Sequence, residues 1–344
     1  MHMADALISP AVGGTMWAVT AGVLAFCARK TKELMRDNLV PLMGVLGAFI
    51  FASQMINFTI PGTGSSGHLG GGLILAILLG PYAAFLVIAS VLTVQAFFFA
   101  DGGLLALGCN IFNMGFFPSF IAYPLLYSPL SRGDYGTTRA WLAAVVAAAI
   151  GLQLGAFCVV LQTKASGISD LPFGTFVLLM QPIHLAIGIV EGLATAAVVT
   201  FVARARPEVL PTAPTHLSSS SLRPVLLGLG VAAVLVGGTL SWFASVHPDG
   251  LEWALAKASG QDEVNGPDGG LHGELARVQE HTAFLPDYGF KTTDDAAPEA
   301  ETWPAINAGT SVSGIVGGGL TLVIALLIGL VLKRSGTRTP QRVR

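Results

Sequence analysis

The sequence is poor in charge. Only 11% of its 344 residues are Asp, Glu, Lys or Arg, while 53% are hydrophobic. Soluble globular domains usually carry about 25% charged residues. A chain this apolar cannot hide its surface in one aqueous core, which excludes a soluble fold and points to a lipid bilayer. A net charge of −2 offers no basic face for nucleic acid. Cysteine is scarce too. Cys27, Cys109 and Cys158 stand singly in apolar stretches without CxxC spacing. That excludes a disulfide framework or a thiolate metal site and leaves them as small buried hydrophobes. The phosphate-binding pattern GxxxxGK[ST] is missing, so the chain is not an ATPase. No hydrolase triad and no flavin or nicotinamide fingerprint appears, and the chain reads as no enzyme. No Lys or Arg precedes the first apolar run, while Arg29 and Lys30 follow it. The start is therefore read as retained rather than as a secretory signal. Bulky His2 protects the initiator, so the mature chain is expected to begin at Met1.

What the sequence has instead is long apolar runs, at about 11–28, 39–57, 71–99, 103–127, 139–163, 174–203, 223–245 and 312–332. A crossing helix needs about 20 residues. The 71–99 run is either one long helix or two short ones broken at Gly80-Pro81, because proline cannot continue a helix. Charge decides between them, since cytoplasmic loops are enriched in Lys and Arg. RKTKELMR (29–36) belongs inside, as do Arg204, Arg206, Arg223 and the tail KRSGTRTPQRVR (333–344). Only a double passage through 71–99 satisfies them all, with one passage half-length or re-entrant and shielded by protein. The fold class expected is an all-α integral membrane protein. About seven crossings (1–205) precede a cytoplasmic linker (206–222). Two further transmembrane helices (223–344) flank an acidic external loop (246–311), which has 12 Asp/Glu against 3 Lys/Arg. The amino terminus lies outside and the carboxyl terminus in the cytoplasm, in the inner membrane of a bacterial cell.

MHMADALISP at the start and GTGSSGHLGGG (62–72) lie on the same expected face. A metal bound to the Met1 amine and the His2 amide nitrogen closes a five-membered ring. Adding His2 Nδ1 closes a six-membered one. Three nitrogens thus reach one plane from two residues, provided the amide loses its proton. Ni(II) and Cu(II) favour such planar nitrogen sites. One equatorial position stays open, and His68 is the candidate to fill it. Glycine lets its loop approach closely. The loop holds no carboxylate, which disfavours Mg²⁺ or Ca²⁺. Asp5 is equally a ligand-orienting acid or a helix cap. Asn57 and Ser66, with Gln54 near them, are further candidates to hydrogen-bond behind the ligands. A histidine at position two is in itself a weak signal, and an ordinary exposed residue explains it as well.

MHMADALISP, GTGSSGHLGGG and DGGLLALGCNIFNMGF (101–116), in that order, resemble the substrate-binding M component of nickel and cobalt energy-coupling-factor transporters, the NikM/CbiM family, over about residues 1–205. HPDGLEWAL (247–255), FLPDYGF (284–290) and the apolar span after them resemble the PDGLE domain, an N-type component of the same systems, here fused on over about 223–332. The resemblance implies a helical membrane bundle whose amino-terminal segment folds back into the substrate pocket. It implies Met1, His2 and His68 as the metal site. It also implies a transmembrane coupling subunit and cytoplasmic ABC-type ATPases as partners. The opening departs from the family pattern in lacking the glycine common after the acidic residue, which bears on Asp5 and not on the chelate.

Ionisable residues inside a bilayer are costly and often functional. His184 and Glu191 are seven apart, near one helix face, as an ion path or as structural bonds to another helix. Asn110 and Asn113 stand on neighbouring turns and suit bonds between helices. Small residues from Gly44 to Ala52 mark a close-packing face, expected to receive the coupling subunit. The reading is a substrate-specific membrane component of an ATP-driven transporter. It takes up Ni²⁺, or next Co²⁺ for cobalamin synthesis, and holds no organic cofactor. The alternatives are a membrane metal sensor or assembly protein, or an ion-coupled carrier, the last short of intramembrane acids.

Overall fold

The computed structural model describes residues 2–207, 210, 222–261, 266–267, 269–291 and 303–336. Most of the linker, the middle of the acidic loop and the basic end of the tail lie outside the described residues. The chain is an all-α bundle with one short hairpin. Helix α1 (Pro10–Glu33) starts at Ser9, whose Oγ accepts the Val12 amide, with Pro10 in the first turn where no amide is needed. α2 (Leu39–Gln54) leads to a hairpin of β1 (Phe58–Ile60) and β2 (Ser65–Gly67), antiparallel with Thr59 opposite Ser66. The 71–99 run is broken at Gly80, as read from Pro81: α3 (Gly72–Leu79) is one short, wholly buried piece and α4 (Pro81–Phe99) a full one. α5 (Leu107–Ile111) widens into a π-helical stretch over Phe112–Tyr127, which contains Pro118 and Pro124, and ends in α6 (Ser128–Ser131). Each internal proline removes one ladder donor, and the wider winding accommodates it.

α7 (Thr138–Ser166), capped by Thr137, and α8 (Phe173–Ala205) complete the first half. The second half has α9 (Arg223–Gly238), α10 (Gly250–Ser259), α11 (Gly270–Thr282) and α12 (Ala308–Gly336). Among the described residues, α1, α4, α7, α8 and α12 are long and apolar enough to cross a membrane, and α2 and α9 are shorter apolar helices. α4 is the axis of the bundle, 78% buried over its most apolar window, against 17% for α1 on the periphery. The fused half does not stand apart. The Gly44 face of α2, expected to receive another subunit, is covered by the chain's own α12: a Cβ on Gly44 would meet Leu326, and one on Gly47 would meet Thr321.

Several polar side chains in the bundle are tied to one another, since lipid supplies no partners. Asn113 and Gln162 bond reciprocally at 2.7 and 3.1 Å. Gln95 Nε2 donates to Gln54 Oε1 at 2.9 Å, and Gln54 Nε2 donates to the Gly70 carbonyl at 2.8 Å. This chain of amides ends at the glycine-rich loop, so the bundle core is built to hold that loop.

Candidate metal centre

Residues 2–9 are a strap anchored by three buried side chains: Met3, Leu7 and Ile8 are at most 1% exposed, while Ala4 is exposed. The motif 101–116 is their cradle. The Met3 amide donates to Asn110 Oδ1 at 2.8 Å, and its carbonyl accepts from Asn110 Nδ2 at 3.1 Å and from the Gly103 amide at 2.9 Å. Asp5 Oδ1 accepts the Ala106 amide at 2.9 Å, just ahead of α5, so Asp5 ties the strap to the cradle. Gly102 has φ +82°, and a Cβ there would lie 2.9 Å from Asn110 Nδ2 and 3.3 Å from the His2 Cβ. Only glycine serves a left-handed position so close to the strap. The cradle thereby fixes His2, with its side chain 7% exposed.

His68 comes from the other side. Its loop is held by Glu191 of α8, whose two oxygens accept the Gly70 amide at 2.9 Å and the Gly71 amide at 3.0 Å. A fully buried carboxylate with two amide donors on it is a strong anchor. The result is that the imidazoles of His2 and His68, 66 positions apart in the chain, stack with centroids 5.1 Å apart and planes within 10°. His68 Nδ1 lies 3.1 Å from the Leu69 carbonyl. Burial, reinforced by the His2 imidazole beside it, pushes the His68 pKa down to about 3. A neutral imidazole is the form that binds metal.

Asp101 Oδ1 stands 3.0 Å from His2 Nδ1. The Tyr288 hydroxyl, from the second half of the chain, donates to the other Asp101 oxygen. Burial would raise the Asp101 carboxyl, but the His2 ring and these two hydrogen bonds hold it at about 2. Burial, and then the Asp101 charge, push the Tyr288 phenol well above its ordinary range, so it remains the donor. The second half of the chain also grips the strap directly. His272 Nε2 is 2.9 Å from the Ile8 carbonyl, and Gln279 Nε2 donates to the Gly102 carbonyl at 2.7 Å. A cavity of about 760 Å³ lies between the halves, lined among others by His2, His68, Asp101, Asp249, Glu252 and Tyr288.

The structure brings together His2 and His68. Met1 lies outside the described residues. Asn57 lines the cavity, and its Oδ1 is buried without a hydrogen-bond partner. Ser66 turns its hydroxyl to the carbonyls of His247 at 2.8 Å and Pro248 at 3.2 Å, toward the fused half. His184 and Glu191, both at most 1% exposed, do not bond each other: His184 Nδ1 is 2.8 Å from its own helix's Met180 carbonyl, and Glu191 serves the glycine loop. Among the described residues, no group of three His, Cys, Asp or Glu side chains could hold a metal ion. Sequence reasoning missed Asp101 and the role of Asn110, although both stand in the quoted 101–116 motif. It also missed that Asp249 of HPDGLEWAL reaches this place.

Comparison with known proteins places both halves of the chain in families. Residues 2–209 match the family model described as the cobalt uptake substrate-specific transmembrane region, and residues 223–334 match the PDGLE domain. The chain is 33% identical over 341 residues to a protein of Archaeoglobus fulgidus, spanning 97% of this chain and 98% of that one. It is 32% identical over 314 residues to the fused nickel transport protein NikMN of Rhodobacter capsulatus, spanning 84% and 88% of the two chains. A crystal structure of a truncated transition metal transporter superposes with a TM-score of 0.53 at 29% identity, covering 60% of this chain and 99% of that one.

Proposed function

The chain belongs to the cobalt-uptake substrate-specific transmembrane family, joined in one polypeptide to a PDGLE domain, and we propose that its site captures Ni²⁺ through the Met1 amine, the His2 amide and imidazole, and His68. It is a multi-pass membrane protein and a substrate-binding, non-enzymatic component of an energy-coupling-factor transporter for nickel or cobalt. Membership implies a transmembrane coupling component and ATPase subunits as partners.

The observation that carries the ligand set is the stacked pair His2 and His68, 5.1 Å apart. A cradle that fixes Met3 and Asp5 leaves the His2 ring beside the His68 imidazole. His2 Nδ1 lies on Asp101, so taking up the ion exchanges that contact for a metal bond. Nickel is preferred to cobalt because a planar set of nitrogens, one of them a deprotonated amide, suits Ni(II). Copper fits as well by intrinsic affinity, and availability must exclude it.

We place this site on the outer face. Lys333 bridges Asp37 at 2.9 Å at the far end of α2, where Arg29, Lys30, Lys32 and Arg36 also gather. A cluster of basic residues marks the cytoplasmic side. The Gly80-Pro81 break shares a pocket with Arg36 at that same end. This supports α3 and α4 as an inward and outward pair, hence seven crossings in 1–205 and two in 223–344, joined by a cytoplasmic linker at 206–222.

Metal content of purified protein with an authentic free Met1, beside the same protein extended at its amino terminus, tests the ligand set. The extension and the His2→Ala and His68→Ala variants are each expected to abolish stoichiometric Ni²⁺. Equal metal in the free and extended forms would refute the amine ligand.

A further inference from the structure

The imidazole pair is flanked by carboxylates from both halves of the chain. Asp101 of the first half stands on the His2 side. On the His68 side stands Asp249, from the PDGLE motif itself. Residue by residue, that motif is built to set Asp249 there. The Pro248 carbonyl accepts the Ser66 amide at 2.8 Å, and Asp249 pairs with Ser66 in a parallel bridge, two residues from His68. Asp249 Oδ1 accepts the Leu251 and Glu252 amides at 2.8 and 2.9 Å, capping α10, while Glu252 Oε2 accepts the Asp249 amide at 3.1 Å. A Cβ on Gly250 would lie 2.6 Å from Ile183 Cγ2 and 3.3 Å from His184 Cε1, so the motif must present glycine to α8. Leu251, 2% exposed, pins the next turn. Asp249 and Gly250 then share a cavity of about 10 Å³ with His68, His184 and Gly70.

A helix cap and a bridge do not require a charge. Asn and Ser cap a helix as well as Asp does, and the bridge uses backbone alone. What Asp adds is a carboxylate beside the His68 ring, on the wall of the cavity they share. A dication held between His2 and His68 with the His2 amide deprotonated keeps one net positive charge, and a carboxylate stands on each side of it. A partly buried charge without a counter-charge is costly.

We propose that Asp249 is a metal-site residue supplied by the PDGLE domain: its carboxylate balances the bound dication on the His68 side and retains it, and the motif around it is the wall that closes the site. This rests on the Met1, His2 and His68 reading above. It gives the fused domain a task within the binding site.

The test uses the full chain with authentic Met1 in detergent, titrated with NiCl₂, as wild type, Asp249→Asn, Asp249→Ser and His68→Ala. Hydrogen exchange of the peptide covering 58–71 reports whether the motif remains docked on Ser66. Both Asp249 variants keep a capping side chain and lose the charge. They are expected to stay docked and to weaken Ni²⁺ binding by about 10- to 100-fold, mainly through faster release, while His68→Ala abolishes binding. Wild-type affinity in both Asp249 variants, with His68→Ala inactive, would overturn this inference and leave the ligand set standing. Affinity lost together with the exchange protection of 58–71 would also overturn it, since Asp249 would then be only a structural cap. Binding unaffected by His68→Ala would instead bring down the ligand set itself.

Discussion

Two segments far apart in the sequence meet at one place, and they are held differently. The strap at residues 2–9 is woven into its own half. Met3 is bonded through both backbone groups to the 101–116 cradle, and Leu7 and Ile8 are fully buried. The PDGLE motif at 248–252 is laid against the outside of the His68 hairpin. It is joined there by the Ser66 amide and hydroxyl, and by Gly250 against α8. The strap is anchored in its own half through Met3, Leu7 and Ile8. The motif crosses from the fused half and docks on buried groups of the first half, Ser66 and Ile183 among them, with its own Leu251 2% exposed. One wall is continuous with its half and the other is applied from outside it, so the two can be loosened separately.

That contrast can be broken from either side. The largest effect is expected from Asn110→Ala. It leaves the buried Met3 amide without an acceptor and its carbonyl with one donor fewer, at about 1–3 kcal/mol for each such group. Thermal unfolding in detergent should show the loss, and Ni²⁺ binding should fall with it because His2 is no longer fixed. If Asn110→Ala binds and melts like wild type, the strap is not the anchored wall.

Gly250→Val comes next. It forces a side chain into the 2.6 Å approach to Ile183, an overpacking of about 1–3 kcal/mol. The expected outcome is selective: faster hydrogen exchange over 247–259, with the exchange of 2–9 and 101–116 unchanged. Equal exchange changes in both regions would show the two walls to be one cooperative unit.

Acid should act on the first half. In the folded, metal-free protein His68 stays neutral down to about 3, while an exposed imidazole titrates near about 6.5. As pH falls, the unfolded chain binds this proton first, so stability is level above about 6.5 and declines from there toward 3. Melts of metal-free protein at a series of pH values should show this loss in the wild type and a smaller loss between about 6.5 and 3 in His68→Ala. The smallest effect belongs to Ser66→Ala, which removes a hydroxyl bond to the His247 and Pro248 carbonyls but leaves the backbone pairing. It should cost about 1 kcal/mol, visible as slightly faster exchange of the PDGLE motif alone.

Much of this was legible beforehand. The apolar runs located every long helix, and Pro81 located the break between α3 and α4, because these features are local. His2 and His68 stood out because both lay on one expected face in chemically unusual settings. Other assignments depended on what lies opposite. The small-residue face of α2 was legible as a packing face, but its partner, α12 of the same chain, was not. Glu191 was recognised as a costly intramembrane acid, while its partners, two amides of the His68 loop, are backbone groups that leave no mark on sequence spacing. Asp5 and Ser66 carried the right chemistry, and the structure turned Asp5 to an amide ahead of α5 and Ser66 to carbonyls of the fused half.

The sequence by itself determined that this chain lives in a bilayer, where its helices start and break, and which donors were on offer to a metal. Hydrophobicity, proline and chelate-ring size act within a few residues, so a linear reading captures them. Only the tertiary structure decided that Asn110 clamps Met3, that Glu191 holds the glycine loop, and that Asp101 and Asp249 approach the two imidazoles from separate halves. Those are pairings across about a hundred positions or more, made where buried polar groups find partners, and that requirement is met in space rather than along the chain.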